Sequence, residues 1–419
     1  MNFLWLNTQL LHPLERRGLT ESYNLLRELS REHSVTYLAL DDGHTPADAA
    51  KRAAEYCTRA IQLPMRVPTR GPFGAHRDRV RSMASSLPYA IWNYRSVAMR
   101  EKVEEIIRDD SIDVVICDSV TPAVNIPPAL PVPTVLFQHE VEALAWHRRA
   151  AHASDPLRRR YFQQQWYRMY AFERNQCRRF DHVIAVSPED LAWFTIEYGA
   201  PHASSIPSGV DTAYFRPSKA PHGEPMHLVF TGAMDLAPND DAVSYFVAEV
   251  LPRLSELASG LTLTIVGRDP TAGVRELVRR DSRVHVTGKV EDIRPYLERA
   301  AVVIAPLRIG GGTRPELLEA MAMETPIVST TVGVEGMAVA DGEHLLIADT
   351  PETFASAIKR LLDEPGFARE LGRRAAAVAR SEFAWSRVAA RFAETCGHVV
   401  GRAASDSALG PTYALGPQG

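Results

Sequence analysis

Leu307-Arg308-Ile309-Gly310-Gly311-Gly312-Thr313-Arg314-Pro315-Glu316-Leu317-Leu318-Glu319-Ala320-Met321-Ala322-Met323 follows the apolar run Val302–Pro306. The run reads as a buried strand, and the apolar spacing after Pro315 reads as a helix. Between them stand three glycines, which let the backbone approach a ligand closely and adopt positive φ. The spacing predicts a helix over Arg314–Met323, with Thr313 as its N-cap and Pro315 in its first turn. Free amides and the positive helix end suit an anion, most simply a diphosphate. The same turn also serves as a tight structural connection, and it matches neither the P-loop nor the Gly-x-Gly-x-x-Gly pattern. At 100° per residue, Leu317, Leu318 and Met321 share an arc of about 100°, and Glu319 lies about 200° from Leu317. Off the apolar stripe, its carboxylate accepts hydrogen bonds from two adjacent ribose hydroxyls, or is a solvated surface group.

Working outward, strand-like and helix-like runs alternate, the pattern of βαβ units and parallel sheets. Strands are expected at Asn2–Leu6, Val35–Leu40, Val114–Cys117, Thr134–Gln138 and His182–Val186, with a helix at Thr20–Glu32. A second set has strands at Leu228–Thr231, Leu261–Val266, Val284–Thr287, Val302–Pro306, Ile327–Thr330 and Leu345–Ala348. Its helices are expected at Asp240–Leu257, Thr271–Arg280, Ile293–Ala300, Arg314–Met323, Pro351–Leu362 and Pro365–Glu382. Pro217–Pro225 reads as a linker. The reading is therefore α/β, with two doubly wound domains over 1–215 and 226–380. A C-terminal helix over 383–400 belongs with either domain, and a loose tail spans 401–419. Ligands of such sheets sit at the C-terminal strand ends, here expected in a cleft that the two domains face.

The 419 residues carry a net charge of −4 and 45% hydrophobic residues, which excludes disordered and collagen-like classes and gives no reason to expect nucleic acid. No apolar stretch reaches the roughly 20 residues of a membrane span. The start, Met1–Asn7, lacks the basic region of a signal peptide. Four scattered cysteines without CxxC spacing suggest reduced thiols, a cytoplasmic setting and no zinc site. Charge is uneven: residues 51–100 hold ten Lys/Arg against two acids.

The glycine turn, Leu318-Glu319-Ala320-Met321-Ala322, Pro326–Thr330 and Gly333-Val334-Glu335-Gly336 together resemble the donor-binding core of family 4 retaining glycosyltransferases of the GT-B fold. The resemblance extends to Ile206-Pro207-Ser208-Gly209-Val210-Asp211 with Phe215 and Pro217, to Val183–Glu189, and to Thr264–Gly267. It also takes in Val286–Val290 and Pro133-Thr134-Val135 with His139. The family moves a sugar from a nucleotide sugar to an acceptor with retention, using no metal; the donor is a substrate and no cofactor is implied. By resemblance, Glu319 binds the ribose and the amides of Gly310, Gly311, Gly312 and Thr313 face sugar and phosphates. Lys289 and Val290 hold the base, His139 faces the transferred sugar, and Gly18, ahead of the Thr20 helix, covers the phosphates.

The sequence also departs from the family. A literal Glu-x7-Glu search finds Glu316 and Glu324, but the Leu-Glu-Ala-Met-Ala anchor fixes the second Glu at Glu319 and places Gly311 where the first belongs. Glu316 stands where a Lys often follows the Arg. The Arg/Lys pair that grips the diphosphate is absent from Thr231–Asn239, leaving Arg314 and then Arg268 as candidates. One of two N-terminal glycines is Arg17, and Ser208 replaces an Asn.

The resemblance implies a front-face mechanism without a protein nucleophile, in which His139 binds a sugar hydroxyl or a backbone carbonyl rather than acting as a base. The acceptor is expected on the N-terminal domain. There, Arg66–Arg100 contains Phe73, Tyr89, Trp92 and Tyr94. Trp146–Arg179 combines nine Arg with Tyr161, Phe162, Trp166, Tyr167, Tyr170 and Phe172. Both fit an anionic membrane surface, or ordinary helices with aromatics in the core. Expected partners are a nucleotide-diphosphate sugar, UDP- or GDP-linked, and a saccharide or lipid-linked acceptor, at a cytoplasmic location that includes the inner membrane face. A transferase acting on a small soluble metabolite, and a catalytically silent GT-B binding protein, are the competing readings.

Overall fold

The structure is a computed structural model. It describes residues 1–14, 17–41, 43, 45–46, 48–65, 82, 85–153, 155–218, 224–254, 260–309 and 314–409. The chain forms two compact units, Met1–Ile206 with Ala389–Gly419, and Pro207–Val388.

In the first unit, β1 (Asn2–Leu6), β2 (Ser34–Asp41), β3 (Arg59–Pro64), β4 (Val114–Asp118), β5 (Thr134–Gln138), β6 (His182–Ala185) and β7 (Ala203–Ser205) form one sheet. The order is β3-β2-β1-β4-β5-β6-β7, with every neighbouring pair parallel. Val114-Val115-Ile116-Cys117 is apolar and buried without alternation, as a parallel strand covered on both faces requires. The main helices are α1 (Arg17–Leu29), α2 (Val97–Asp109), α3 (Glu142–His152) and α4 (Pro156–Arg179). The chain order reverses between β1 and β4, so their carboxyl ends open a crevice. Edge strands β3 and β7 escape the sequence reading because half-exposed or very short strands need no apolar run.

The second sheet joins β8 (His227–Thr231), β9 (Thr262–Val266), β10 (Val284–Gly288), β11 (Val302–Ala305), β12 (Ile327–Ser329) and β13 (Leu346–Ile347) in the order β10-β9-β8-β11-β12-β13. All its pairs are parallel, and the crevice falls between β8 and β11. Around it lie α5 (Ala237–Tyr245), α6 (Ala272–Arg280), α7 (Arg294–Arg299), α8 (Pro315–Ala322), α9 (Pro351–Asp363) and α10 (Pro365–Glu382). The helix expected at Asp240–Leu257 starts earlier, at Ala237, and changes to wider and then tighter turns from Phe246 onward; residues 255–259 lie outside the described residues.

The second unit begins at Pro207, ahead of the expected 226. Val210 bridges to Ala384 and donates its N–H to the Phe383 carbonyl at 2.8 Å, and its side chain is buried in the second core. The last helix, α11 (Trp385–Leu409), brings its body back into the first unit. There the fully buried Phe392 packs on Trp5 (5.6 Å between ring centroids) and Phe137 (5.4 Å). Residues 401–409, expected to be loose, continue that helix; 410–419 lie outside the described residues.

Candidate functional site

At the β8–β11 crevice, Gly232 and Gly267 let two loops meet backbone to backbone. A methyl group on Gly267 would sit 1.7 Å from the Gly232 carbonyl oxygen. The N–H groups of Gly232 and Met234 donate to the carbonyls of Val266 and Arg268, so the loop lacking the family's Arg/Lys pair is tied to the β9 loop. On the other side, the Thr330 hydroxyl donates to the Leu307 carbonyl and accepts from Gly333 N–H, fixing where the chain leaves β11. Gly310, Gly311, Gly312 and Thr313, the expected donor turn, lie outside the described residues.

Beyond that turn, α8 starts with Arg314, not Thr313, at its N-cap position. Pro315 pushes the residue before it into extended conformation and itself fits the first helical position; Arg314 has φ −101° and ψ 103°. Its guanidinium reaches the Ile309 carbonyl at 3.5 Å. Leu317, Leu318, Ala320, Met321 and Ala322 are buried, and Glu319 is half-buried between them. Its carboxylate makes no hydrogen bond among the described residues. Burial, with Glu316 adding repulsion, raises its pKa to about 8. The competing Glu324 is spent elsewhere, paired with Arg380 at 2.8 Å.

Arg268 follows β9 directly, half-exposed, and its guanidinium pairs with Asp269 at 2.8 Å and Asp235 at 3.5 Å. Lys289, exposed, and Val290, half-buried, follow β10. Strand order thus sets Arg268, Lys289, Val290 and the start of α8 on one sheet edge. The β10 and β11 ends lie three strand spacings apart, roughly 14 Å.

The first unit's crevice holds a charged cluster. His139 follows β5; its Nδ1 lies 2.9 Å from Glu21 Oε2 and its Nε2 2.8 Å from Asp118 Oδ1, with Ser22 Oγ at 3.3 Å. Trp5 Nε1 and Asn7 Nδ2 donate to Asp118 Oδ2 at 2.9 and 2.8 Å. Burial disfavours the charged ring, but hydrogen bonds and charges from Asp118 and Glu21 outweigh it and raise the His139 pKa to about 10. The ring therefore bonds carboxylates, not a backbone carbonyl. Gly18, expected ahead of its helix, lies within the first turn of α1, and a methyl there would touch the His139 ring at 3.6 Å. Gln138 and the start of α3 are anchored by the buried Glu173, which accepts from Gln138 Nε2, the amides of Glu142 and Ala143, and the Tyr198 hydroxyl.

Glu21, Asp118, Trp5 and Asn7 were not anticipated. The available signal was position: Asn7 and Asp118 are polar residues closing the apolar runs that flank the crossover, and Glu21 stands one turn into α1.

The aromatic-rich α3–α4 pair turns most of its rings inward. Phe172 is buried, Trp166 stacks on Tyr167 and meets His147 at a tilt, and Tyr170 meets Tyr198 edge-on. Outward remain Leu157, 80% exposed, Tyr167, and the exposed Arg158, Arg159 and Arg160. Of the other basic stretch, residues 66–81 and 83–84, Phe73 included, lie outside the described residues. Tyr89, Trp92 and Tyr94 are half-buried, and Arg95 lies 4.7 Å over the Trp92 ring. No helix among the described residues is long and apolar enough to cross a membrane.

Comparison with known proteins accords with this geometry. A model described as Glycosyltransferase Family 4 matches residues 22–214, and one described as Glycosyl transferases group 1 matches residues 225–364. D-inositol 3-phosphate glycosyltransferase 2 of Catenulispora acidiphila is 28% identical over 236 residues, 51% of this chain and 55% of that protein. The match thus spans about half the length of that curated relative. Among solved structures, sucrose-phosphate synthase from Thermosynechococcus elongatus superposes with a TM-score of 0.66 at 16% identity, covering 96% of this chain and all of that one. Anabaena HepE in complex with UDP superposes with a TM-score of 0.63 at 14% identity, covering 95% of this chain and all of that one. Two parallel Rossmann-like sheets, matched in turn by the two family models, place this chain among the family 4 glycosyltransferases of the GT-B fold.

Proposed function

We propose that the chain is a retaining transferase that moves a sugar from a UDP- or GDP-linked donor to a saccharide or lipid-linked acceptor in polysaccharide or glycoconjugate biosynthesis. The carrying observation is Glu319: a half-buried carboxylate at the β11–α8 crossover whose pKa is raised by burial and which finds no donor among the described residues. Leaving such a group without donors is costly, and paired ribose hydroxyls supply them. Arg314 then faces the diphosphate, Lys289 and Val290 the base. Arg268 joins as a second cation once it releases Asp269 and Asp235.

In this reading the bond from the anomeric carbon to the phosphate oxygen breaks as the acceptor oxygen bonds to the same face of that carbon. The acceptor proton passes to the departing phosphate. The chain contributes guanidinium groups aimed at the growing phosphate charge and gains from an acceptor held in line for attack; no metal and no protein nucleophile is required. The UDP named with HepE supports a uridine donor. The inositol phosphate named for the relative favours a second reading, a small polyol acceptor. The engagement of Arg268 by two aspartates favours a third, a protein that binds nucleotides without transferring sugar.

A thermal-shift screen of nucleoside diphosphates and their sugars tests the assignment. A fitting nucleotide at 100 times its Kd adds about 2.7 kcal/mol, and Glu319→Ala removes most of that gain; an equal shift in the variant ends the ribose assignment. Hydrolysis of the donor without acceptor separates an enzyme from a silent binder.

We place the protein peripherally on an anionic bilayer through the outward face of α4, where Leu157 stands beside Arg158 and Arg160, basic groups complementary to acidic headgroups. Flotation with phosphatidylglycerol vesicles and absence from phosphatidylcholine vesicles is the expected result; equal behaviour in both removes the membrane from the account.

A further inference from the structure

We infer that Glu21 and Asp118 are positioning residues: they hold His139 as a doubly donating imidazolium that ties the first turn of α1 to the ends of β4 and β5, leaving the ring no nitrogen with which to take a proton. The argument starts from hydrogen-bond inventory. An ionised carboxylate accepts and cannot donate, so a ring with one carboxylate oxygen at 2.9 Å from Nδ1 and another at 2.8 Å from Nε2 supplies both protons itself. Two N–H groups make the ring a cation. Asp118 cannot rotate away, because Trp5 Nε1 and Asn7 Nδ2 hold its other oxygen and the residue is 2% exposed.

The groups facing the ring are Glu21 and Ser22 from α1, Asp118 from β4, the Phe137 ring edge at 4.6 Å, and Glu142 of α3, whose charge is felt across the start of that helix. Among the described residues, and apart from the ring itself, these ionisable groups are acidic, and acidic neighbours favour the protonated ring. The raised pKa of His139 agrees with that geometry.

The consequence reaches Gly18. The ring lies against its Cα face, and Glu21, one turn further on, is bonded to the same ring. Loosening either carboxylate frees the turn whose amides, N-terminal in α1, have no intrahelical partner. The activity part of the inference rests on the transferase reading above; the structural part does not.

The test uses the full chain labelled with 15N-histidine, with His139→Gln identifying the resonances. Both His139 nitrogens are expected at imidazolium positions through pH 8, where an ordinary histidine is neutral. A ring that loses its proton between pH 6 and 7 overturns the inference whatever the enzyme does. Asp118→Asn should bring the titration down toward neutral pH. Glu21→Gln removes the lesser of the two supports and should move it less. If sugar transfer is found, the wild type should have no His139 limb in its pH profile from 6 to 9. Asp118→Asn should then acquire one, together with a donor KM raised roughly tenfold and a smaller change in kcat. An unchanged KM and an unchanged profile shape in a folded Asp118→Asn protein would reduce the cluster to a structural brace and refute the positioning role.

Discussion

The two sheets carry carboxylates at equivalent crossovers and treat them in opposite ways. At the end of β4, Asp118 accepts from Trp5, Asn7 and His139. Beyond β11, Glu319 is half-buried and accepts from nothing among the described residues. In the first unit, donors from the same chain occupy the carboxylate; in the second, burial raises the Glu319 pKa to about 8. A carboxylate supplied with donors by its own fold is a fixture. One left without them is open to donors from outside.

The contrast is sharpest in stability. Removing Asp118 strands the His139 cation and two buried N–H donors, so Asp118→Ala should lose about 3–5 kcal/mol in urea unfolding. Glu319→Ala should lose little or gain. The pH dependence follows. The His139 pKa lies above its ordinary 6.5 in the folded chain, so the charged ring's contribution is complete below that value and is lost as pH rises through about 10. Wild-type stability should fall over that range more than that of Asp118→Ala.

Next in size is the packing that brings the second crevice together. Gly267→Ala drives a methyl into the Gly232 carbonyl, a backbone atom with no rotamer to yield. A loss of about 1–3 kcal/mol, together with a weaker nucleotide shift, would show that the two loops share one scaffold. Unchanged melting would separate them.

Smaller still, Glu319→Gln removes a group whose proton the fold retains and the unfolded chain releases. Stability contributed by Glu319 falls as pH rises from its ordinary 4.5 toward 8. The variant should therefore melt a few degrees higher than wild type at pH 8 and nearly with it at pH 5. Least of all, Leu157→Asp on the outer face of α4 should stay within about 0.5 kcal/mol of wild type while losing vesicle flotation.

How much of this was legible follows from the range of the forces involved. Central strands announce themselves because burial on both faces demands unbroken apolar runs; Val114–Cys117 and Val302–Ala305 are read directly. β3 and β7 are not, since an edge strand pairs on one side and tolerates Arg59 or Ser204. Glu319 is legible because one helical turn fixes its angle to Leu317. The Glu21–His139–Asp118 cluster is not: its members are separated by 118 and 21 residues, and no local pattern encodes that meeting. The aromatic content of α4 misleads for a related reason. Composition reports rings, whereas the packing of α3 decides that Phe172 and Trp166 turn inward and that Leu157 stays out.

The central claim is that Glu319 holds the ribose of the donor, and a double-mutant cycle reaches it most directly. Titrate wild type and Glu319→Ala with the nucleoside diphosphate that gives the largest thermal shift, and with its 2′,3′-dideoxy analogue. A hydrogen bond contributes about 0.5–1.5 kcal/mol, and two hydroxyls are removed. Wild type should therefore lose tenfold or more in affinity when the hydroxyls are removed, and Glu319→Ala should bind both nucleotides alike. Equal losses in the two proteins, or none in either, would contradict the account.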